Sequence, residues 1–576
     1  MNQKLENILN VSLDATEDEL RKADSLSTGY NWRDNTWEII VKYSGSLESI
    51  RNRYNVYIKE LLNYYAIIVA DKATIELISQ EDVIDYVEKP KSLYYQIERT
   101  KTAACVGNVR AGGGILSGKG VIVGVIDTGI DIYDNAFRNS DGTTRILNIY
   151  DQTTGEKYDK QSIDEYIKLN EDLSGGTFSY DNAPGVDNIM HGTDVSYIAA
   201  GSLGVAYEAD IIAVKMGYSI NNQFPRTTSL MDAIDYVIRK AIEYRKPVAV
   251  NISYGCNYGA HNGNTLLESF IDDISKSYRC VICVGSGNEA DKAIHFGGII
   301  NTGQVQTAYL SVGEYQSAMD IQIWKNYWDT IDVMLINPRG EQIGIITEGK
   351  INRYETYNTE IITLLGEPSP YNIYQEIYIN LIPKTDYILS GIWQIVLMAG
   401  NIRAGEYNIW LPSSQALGYA TAFNNPTADG TITIPATARN CIAVGAYNAY
   451  TNSYAAFSGR GFDNSIRNVN AGVKPDITAP GVDISIARQR GNDITYRNVT
   501  GTSYAVPVVT GAAALLMQWG IVMGNDRFMY GEKLKAALID GSKPVGLAGI
   551  TGNDNHPDPR TGWGAVCLMN TLNKIL

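Results

Sequence analysis

The sequence predicts an α/β protein: a parallel sheet sandwiched by helices, preceded by an α+β unit and interrupted late by an all-β module. Three observations predict it. From about residue 119, short β-branched runs (GVIVGVID, DIIAVKMG, PVAVNISYG, CVICVGSGN) alternate with helical stretches such as SLMDAIDYVIRKAIEYR, the texture of parallel strands covered on both faces. The first 98 residues instead run strand, helix, strand, helix, strand. Between about 302 and 414 the helix signal fades and period-two strands take over.

Taken in order, the first unit, 1–98, holds strand-like TWEIIVKYSG, helical SLESIRNRYN, strand-like ELLNYYAIIVAD, helical KATIELISQED and strand-like VIDYVEKP. An α/β domain occupies 99–301. The β module, 302–414, is carried by MDIQIWKNYW, TIDVMLINPRG, YNIYQEIYINLI, GIWQIVLMAG and GEYNIWLP with turn residues between them. The α/β texture returns at TITIPATARNCIAVGAY and fills 415–576, so the β module is an insertion.

At 576 residues the chain is too long for one ordinary core, and 44% apolar residues is ample material for several. A formal charge of −15 argues against a nucleic-acid or anionic-membrane partner, because a phosphate surface would repel it. The N-terminus, MNQKLENILNVSLDATEDELRKAD, has no continuous apolar stretch after a basic start, so no signal peptide is expected. No run elsewhere approaches ~18 apolar residues, so no membrane span is expected either. The six cysteines are sparse and scattered, which suits a reducing compartment better than a disulfide scaffold. Cys280 and Cys283 sit in an apolar strand-like run where residues three apart face opposite sides, so they are structural thiols and not a metal clamp.

Three segments carry chemistry. In GVIVGVIDTGID, Asp127 ends an apolar strand, which places its carboxylate at the carboxyl edge of the sheet, where α/β folds build sites. In MHGTDVSYIAAG, His191 opens an Ala-rich helix. In VTGTSYAVPVVTGAAALLMQW, Ser503 sits where a Gly-Thr turn becomes a helix. A serine hydroxyl is a weak nucleophile until an adjacent imidazole takes its proton, and the imidazole needs a carboxylate to fix its tautomer. A helix N-terminus at Ser503 aims N–H groups at a developing oxyanion, and Asn288 in VGSGNEAD offers a second donor.

The blocks DTG, HGT and GTSYAVP, in the order Asp, His, Ser, resemble the signatures of the subtilisin-like serine peptidases, over residues ~105–300 and ~415–572. The resemblance implies that Asp127 orients, His191 is general acid/base, Ser503 is the nucleophile and Asn288 completes the oxyanion hole. It also implies that Ser253, Tyr254 and Gly255 of NISYG, with Ser286 and Gly287, bind an extended protein substrate, and that no cofactor is needed. The first unit resembles the family's prodomain, a chaperone and inhibitor whose tail occupies the active-site groove, with self-cleavage expected near Tyr94 to Ile97. The layout is similar to that of the clostridial Csp germination proteases, whose inserted β-sandwich, jelly-roll-like, braces the catalytic domain. That resemblance implies a cytoplasmic or spore-associated bacterial protein activating a cortex-lytic zymogen. Rival readings are a catalytically silent binding protein of the same fold and a general intracellular degradative protease.

Other residues read as structural. His261, His295 and His556 are expected on loops, and Asp131 as a turn cap. Calcium is unassigned because no stretch has a recognisable ligand spacing. The aromatics of the β module, at period-two spacing, are expected to face a sandwich core or the neighbouring domain and not to form a sugar platform. Asn251 and Asn498 match the glycan acceptor pattern but carry no weight without an export signal.

Overall fold

The computed structural model describes residues 4–5, 9, 12–13, 17, 20, 29–61, 65–88, 104–105, 110–111, 114–172, 183–217, 225–346, 351–367, 372–462, 472–490, 493–546 and 557–576. The chain divides into two units, Met1–Tyr94 and Tyr95–Leu576. The expected cut near Tyr94 to Ile97 and His556 both lie outside the described residues.

The first unit contains β1 (Tyr30–Asn31), β2 (Thr36–Tyr43), α1 (Glu48–Tyr54), β3 (Tyr57–Leu61), β4 (Tyr65–Ala70), α2 (Lys72–Ile78) and β5 (Ile84–Glu88). Its antiparallel sheet has the order β1-β2-β4-β3, with β5 also against β2. Ile50 of α1 and Ile75 and Ile78 of α2 are buried with Ile39, Val41 and Ile68 of the sheet in one core. The Asp71 carboxylate accepts the Thr74 N–H at 2.8 Å and so fixes where α2 begins. The run ELLNYYAIIVAD, expected as one strand, divides between two that pair with each other, Tyr57 opposite Val69 and Leu61 opposite Tyr65. Both halves are apolar enough to pass for one strand, so composition alone hides the reversal.

The second unit continues with β6 (Ile122–Asp127), β7 (Ile146–Asp151), β8 (Glu156–Asp159), α3 (Lys160–Asp172), α4 (His191–Ala200), β9 (Asp210–Lys215), α5 (Thr227–Tyr244), β10 (Val248–Ile252), α6 (Leu266–Ser277) and β11 (Cys280–Gly285). The insertion supplies β12 (His295–Ile299), β13 (Val305–Val312), β14 (Met319–Asn326), β15 (Ile331–Ile336), β16 (Gln342–Ile343), β17 (Ile351–Glu355), β18 (Thr359–Leu365), β19 (Tyr374–Pro383), β20 (Gly391–Ala399), β21 (Glu406–Trp410) and β22 (Ala422–Phe423). After it come β23 (Ile442–Asn448), β24 (Ser453–Tyr454), β25 (Ile477–Pro480), β26 (Ile484–Arg490), β27 (Asp493–Val499), α7 (Thr502–Met517), α8 (Gly531–Asp540) and α9 (Leu568–Ile575).

The central sheet has the order β8-β7-β9-β6-β10-β11-β23-β24, with β25 beside β23. β7, β9, β6, β10, β11, β23 and β25 are mutually parallel, and β8 and β24 are antiparallel additions. Parallel strands need covering on both faces, and every residue of β6 is buried. Val123 and Val125 face one core, shared with α4 and α7. Ile122 and Ile126 face the other, shared with α5 and α6. Cys280 and Cys283 lie in these two different cores, and burial pushes each thiol up to about 12. The sheet thus gathers the carboxyl ends of β6, β10 and β11 on one edge.

The insertion is two antiparallel sheets, β12-β21-β14-β19-β18-β17 and β16-β15-β20-β13-β22, packed around a core that contains Ile321, Ile323, Ile379, Trp393 and Ile395. Its sheets reach beyond 302–414 at both ends, because β12 pairs with β21 and β22 with β13. The HFGGI of β12 carries two glycines and no alternation, so the period-two pattern misses it.

Three expectations are corrected. Cys105 and Cys567 form a disulfide across 462 residues, a pairing that no local spacing announces. His261 lies in a loop as expected, but His295 lies in β12, and both are buried, stacked on Trp410 at 4.2 and 4.9 Å between centroids, where the insertion meets the α/β layers. Trp410 also donates to the Gly430 carbonyl at 2.9 Å. Finally, Thr502–Val522 is a 21-residue stretch long and apolar enough to cross a membrane. It passes that test because α7 is mostly buried between the sheet and α4, as a core helix must be.

Candidate active site

Asp127 ends β6 and is almost fully buried. His191 is the first residue of α4, and its Nδ1 lies 2.7 Å from Asp127 Oδ1. A carboxylate can only accept, so Nδ1 carries the hydrogen and Nε2 keeps its lone pair. The approach depends on Gly192, where a Cβ would stand 2.3 Å from the Gly129 carbonyl oxygen and 2.9 Å from Asp127 Cβ. Asp187, just upstream, ties the same turn together. It accepts from the Thr128 hydroxyl (2.8 Å), from the N–H of Met190 (2.7 Å), and from both the N–H and the hydroxyl of Thr193 (2.8 and 2.7 Å).

Burial alone would depress the His191 pKa. The Asp127 charge and hydrogen bond, with Asp187 behind them, outweigh burial and raise it above its ordinary value, while Arg497 opposes the rise. The ring is not sealed in, since the side chain is 25% exposed.

Ser503 is the second residue of α7, after Gly501, whose φ of +153° favours glycine. Pro507 has no N–H to give to the Ser503 carbonyl four residues earlier. That carbonyl instead accepts from Ser253 Oγ at 3.4 Å, and Ser253 Oγ accepts from Asn251 at 3.0 Å. Asn288 follows β11. Its Oδ1 accepts from the N–H (3.0 Å) and the hydroxyl (3.1 Å) of Thr502, which leaves Nδ2 to face the turn before Ser503. A Cβ at Gly501 would lie 3.6 Å from that nitrogen.

An open cleft of about 390 Å³ is lined by His191, Ser503 and Asn288, with Ser253, Tyr254, Gly255 and Gly287 along its walls. Ser286 is not on that surface: its side chain is fully buried and its hydroxyl is 3.3 Å from that of Ser458. Asp131 also stays out of the cleft, accepting the Tyr133 N–H in a turn. Among the described residues, no group of three His, Cys, Asp or Glu side chains is placed to hold a metal ion.

Sequence reasoning missed several wall residues. Thr433 packs against Gly255 and Gly287, which both need the space a side chain would fill. Glu289 is buried at the wall and accepts from the Ser413 hydroxyl (2.7 Å) and from the Ser414 N–H and hydroxyl (both 3.2 Å). The return of the insertion therefore builds part of the cleft, and Gln415 lines it too.

Residues 118–372 and 390–564 match the model of the subtilase family, and residues 3–91 match that of the Csp protease B prodomain. The CspB protease of Clostridium perfringens is similar in structure, with a TM-score of 0.74 and 34% identity over 83% of this chain and 97% of that one. The subtilase-type proteinase RRT12 of Saccharomyces cerevisiae is 32% identical over 22% of this chain and 23% of its own length. Subtilisin-like protease 10 of Arthroderma otae is 34% identical over 20% and 26%. The matched stretches thus span about a quarter of each of these two curated relatives.

Proposed function

The chain belongs to the subtilase family of serine endopeptidases, and on that premise we propose that it acts through Asp127, His191 and Ser503 as an autoprocessing enzyme with few protein substrates. The observation that carries this reading is the 2.7 Å Asp127–His191 pair in one cleft with a serine at a helix N-terminus. Ser503 Oγ attacks a peptide carbonyl carbon while His191 Nε2 takes its proton. The oxyanion is met by the Ser503 N–H and Asn288 Nδ2. The C–N bond then breaks as His191 returns the proton to the leaving amine. Water repeats the sequence on the acyl-enzyme, losing a proton to His191 and releasing the acid and free Ser503.

The match of residues 3–91 to a Csp protease B prodomain supports reading the first unit as a chaperone and inhibitor whose tail lies in the groove until the enzyme cuts it near Tyr94 to Ile97. The likeness to the Clostridium perfringens CspB protease supports a spore-associated role in which a cortex-lytic zymogen is the substrate. Mass spectrometry of the purified chain beside Ser503→Ala tests the reading. Release of the first unit by wild type alone is the expected result; an uncut wild-type chain overturns autoprocessing.

A further inference from the structure

Two arginines beside the catalytic helix have no part in the chemistry just described. Asp194 lies in the first turn of α4, three residues after His191, and is the fully buried, sole carboxylate of that helix. A buried carboxylate is costly unless paired. Its partners come from the β26–β27 hairpin, nearly three hundred residues later in the chain. Arg488 donates to Asp194 Oδ1 from Nε at 3.0 Å and also from Nη2, and Arg497 pairs with Asp194 Oδ2. The same two guanidiniums donate to the carbonyl of Met190, at 2.8 and 3.1 Å. Met190 precedes His191 and holds the left-handed conformation, φ +67°, that turns the chain into α4.

We propose that Asp194, Arg488 and Arg497 form a positioning clamp for the general base, fixing the Met190–His191 turn against the hairpin and placing a net positive charge beside the imidazole. The inference rests on the protease reading above. One carboxylate against two guanidiniums leaves one positive charge over. The groups acting on His191 are Asp127 from β6, Asp187 from the preceding loop, Tyr504 from α7 with ring centroids 5.3 Å apart, and this clamp from β26, β27 and α4 itself. The two aspartates favour the imidazolium and Arg497 disfavours it. The clamp therefore offsets part of the aspartates' pull, so that His191 is a neutral base, ready to accept the Ser503 proton, over a wider pH range. Arg497 is the clamp member to perturb, since its side chain is 42% exposed and its loss leaves no cavity.

The test compares full-length wild type, Arg497→Gln and Arg497→Lys. His191 is titrated by NMR on ¹³C-histidine-labelled chain carrying Ser503→Ala, and kcat and KM are measured against pH on the unblocked chains. The expected result is a His191 midpoint that moves to higher pH in Arg497→Gln, an acid limb of kcat that moves with it, an unchanged KM, and a return toward wild type in Arg497→Lys. A midpoint that stays put in Arg497→Gln, or moves equally in both variants, overturns the proposal and leaves Arg497 a structural anchor. If wild type cleaves nothing, the protease reading fails, while the titration still decides the clamp.

Discussion

Asp127→Asn removes the acceptor that fixes the general base. Asp127 Oδ1 holds two donors, His191 Nδ1 at 2.7 Å and its neighbour's Thr128 N–H at 2.8 Å. Both donors meet that one oxygen, so an amide there either keeps its oxygen for both or turns its NH₂ toward both, and in either case the charge is gone. With the NH₂ turned in, His191 Nδ1 must accept, so the ring hydrogen moves to Nε2, the atom that has to take the Ser503 proton. The same change in other serine proteases costs about 10⁴ in kcat, about 5.4 kcal/mol at 1.36 kcal/mol per decade. A second signature follows from electrostatics. In wild type the Asp127 charge outweighs burial and holds the His191 pKa above its ordinary value, so the neutral imidazole the reaction needs forms only on the alkaline side of that raised pKa. Without the charge the acid limb of kcat/KM moves to lower pH. The assay is a pH–rate profile on a peptide substrate, with the thermal midpoint as a folding control. A folded variant that loses less than tenfold in kcat, or whose limb moves upward, refutes the reasoning.

Other substitutions test neighbouring parts of the account. Asn288→Ala removes one oxyanion donor and should cut kcat by about 10² to 10³ with KM nearly unchanged, as read from steady-state kinetics. Gly192→Ala puts a methyl 2.3 Å from the Gly129 carbonyl oxygen, so α4 must shift away from Asp127. Overpacking of this kind costs roughly 1–3 kcal/mol, and a displacement near 1 Å about 10²-fold in rate, so both the melting curve and kcat should fall. Replacing Cys105 and Cys567 together by serine should cost about 2–5 kcal/mol in stability. Without reductant the melting temperature drops, and with reductant wild type and variant converge.

The sheet was legible because its strands are buried on both faces and so read as unbroken β-branched runs; VIVGVID announces both strand and carboxylate. The active-site blocks were legible because each places a reactive group at an element end within a few residues. What was hidden depends on partners far away in sequence. Cys105 and Cys567 read as scattered thiols because 462 residues separate them. Asp194 drew no reading from the sequence, since its arginines stand near the other end of the chain. Ser286 and Gly287 are neighbours in sequence, yet only the glycine reaches the cleft, a difference set by the turn and by Ser458. The burial of His261 and His295 was hidden because nothing local records the tryptophan on which both stack.

The central claim is that Ser503 is a nucleophile activated by His191. It is tested most directly by treating the purified chain with a fluorophosphonate and mapping the modified residue by peptide mass spectrometry, alongside Ser503→Ala and His191→Ala. The expected result is a single phosphonylated site at Ser503 in wild type and none in either variant. Wild-type Ser503 that labels no faster than it does in His191→Ala would contradict it.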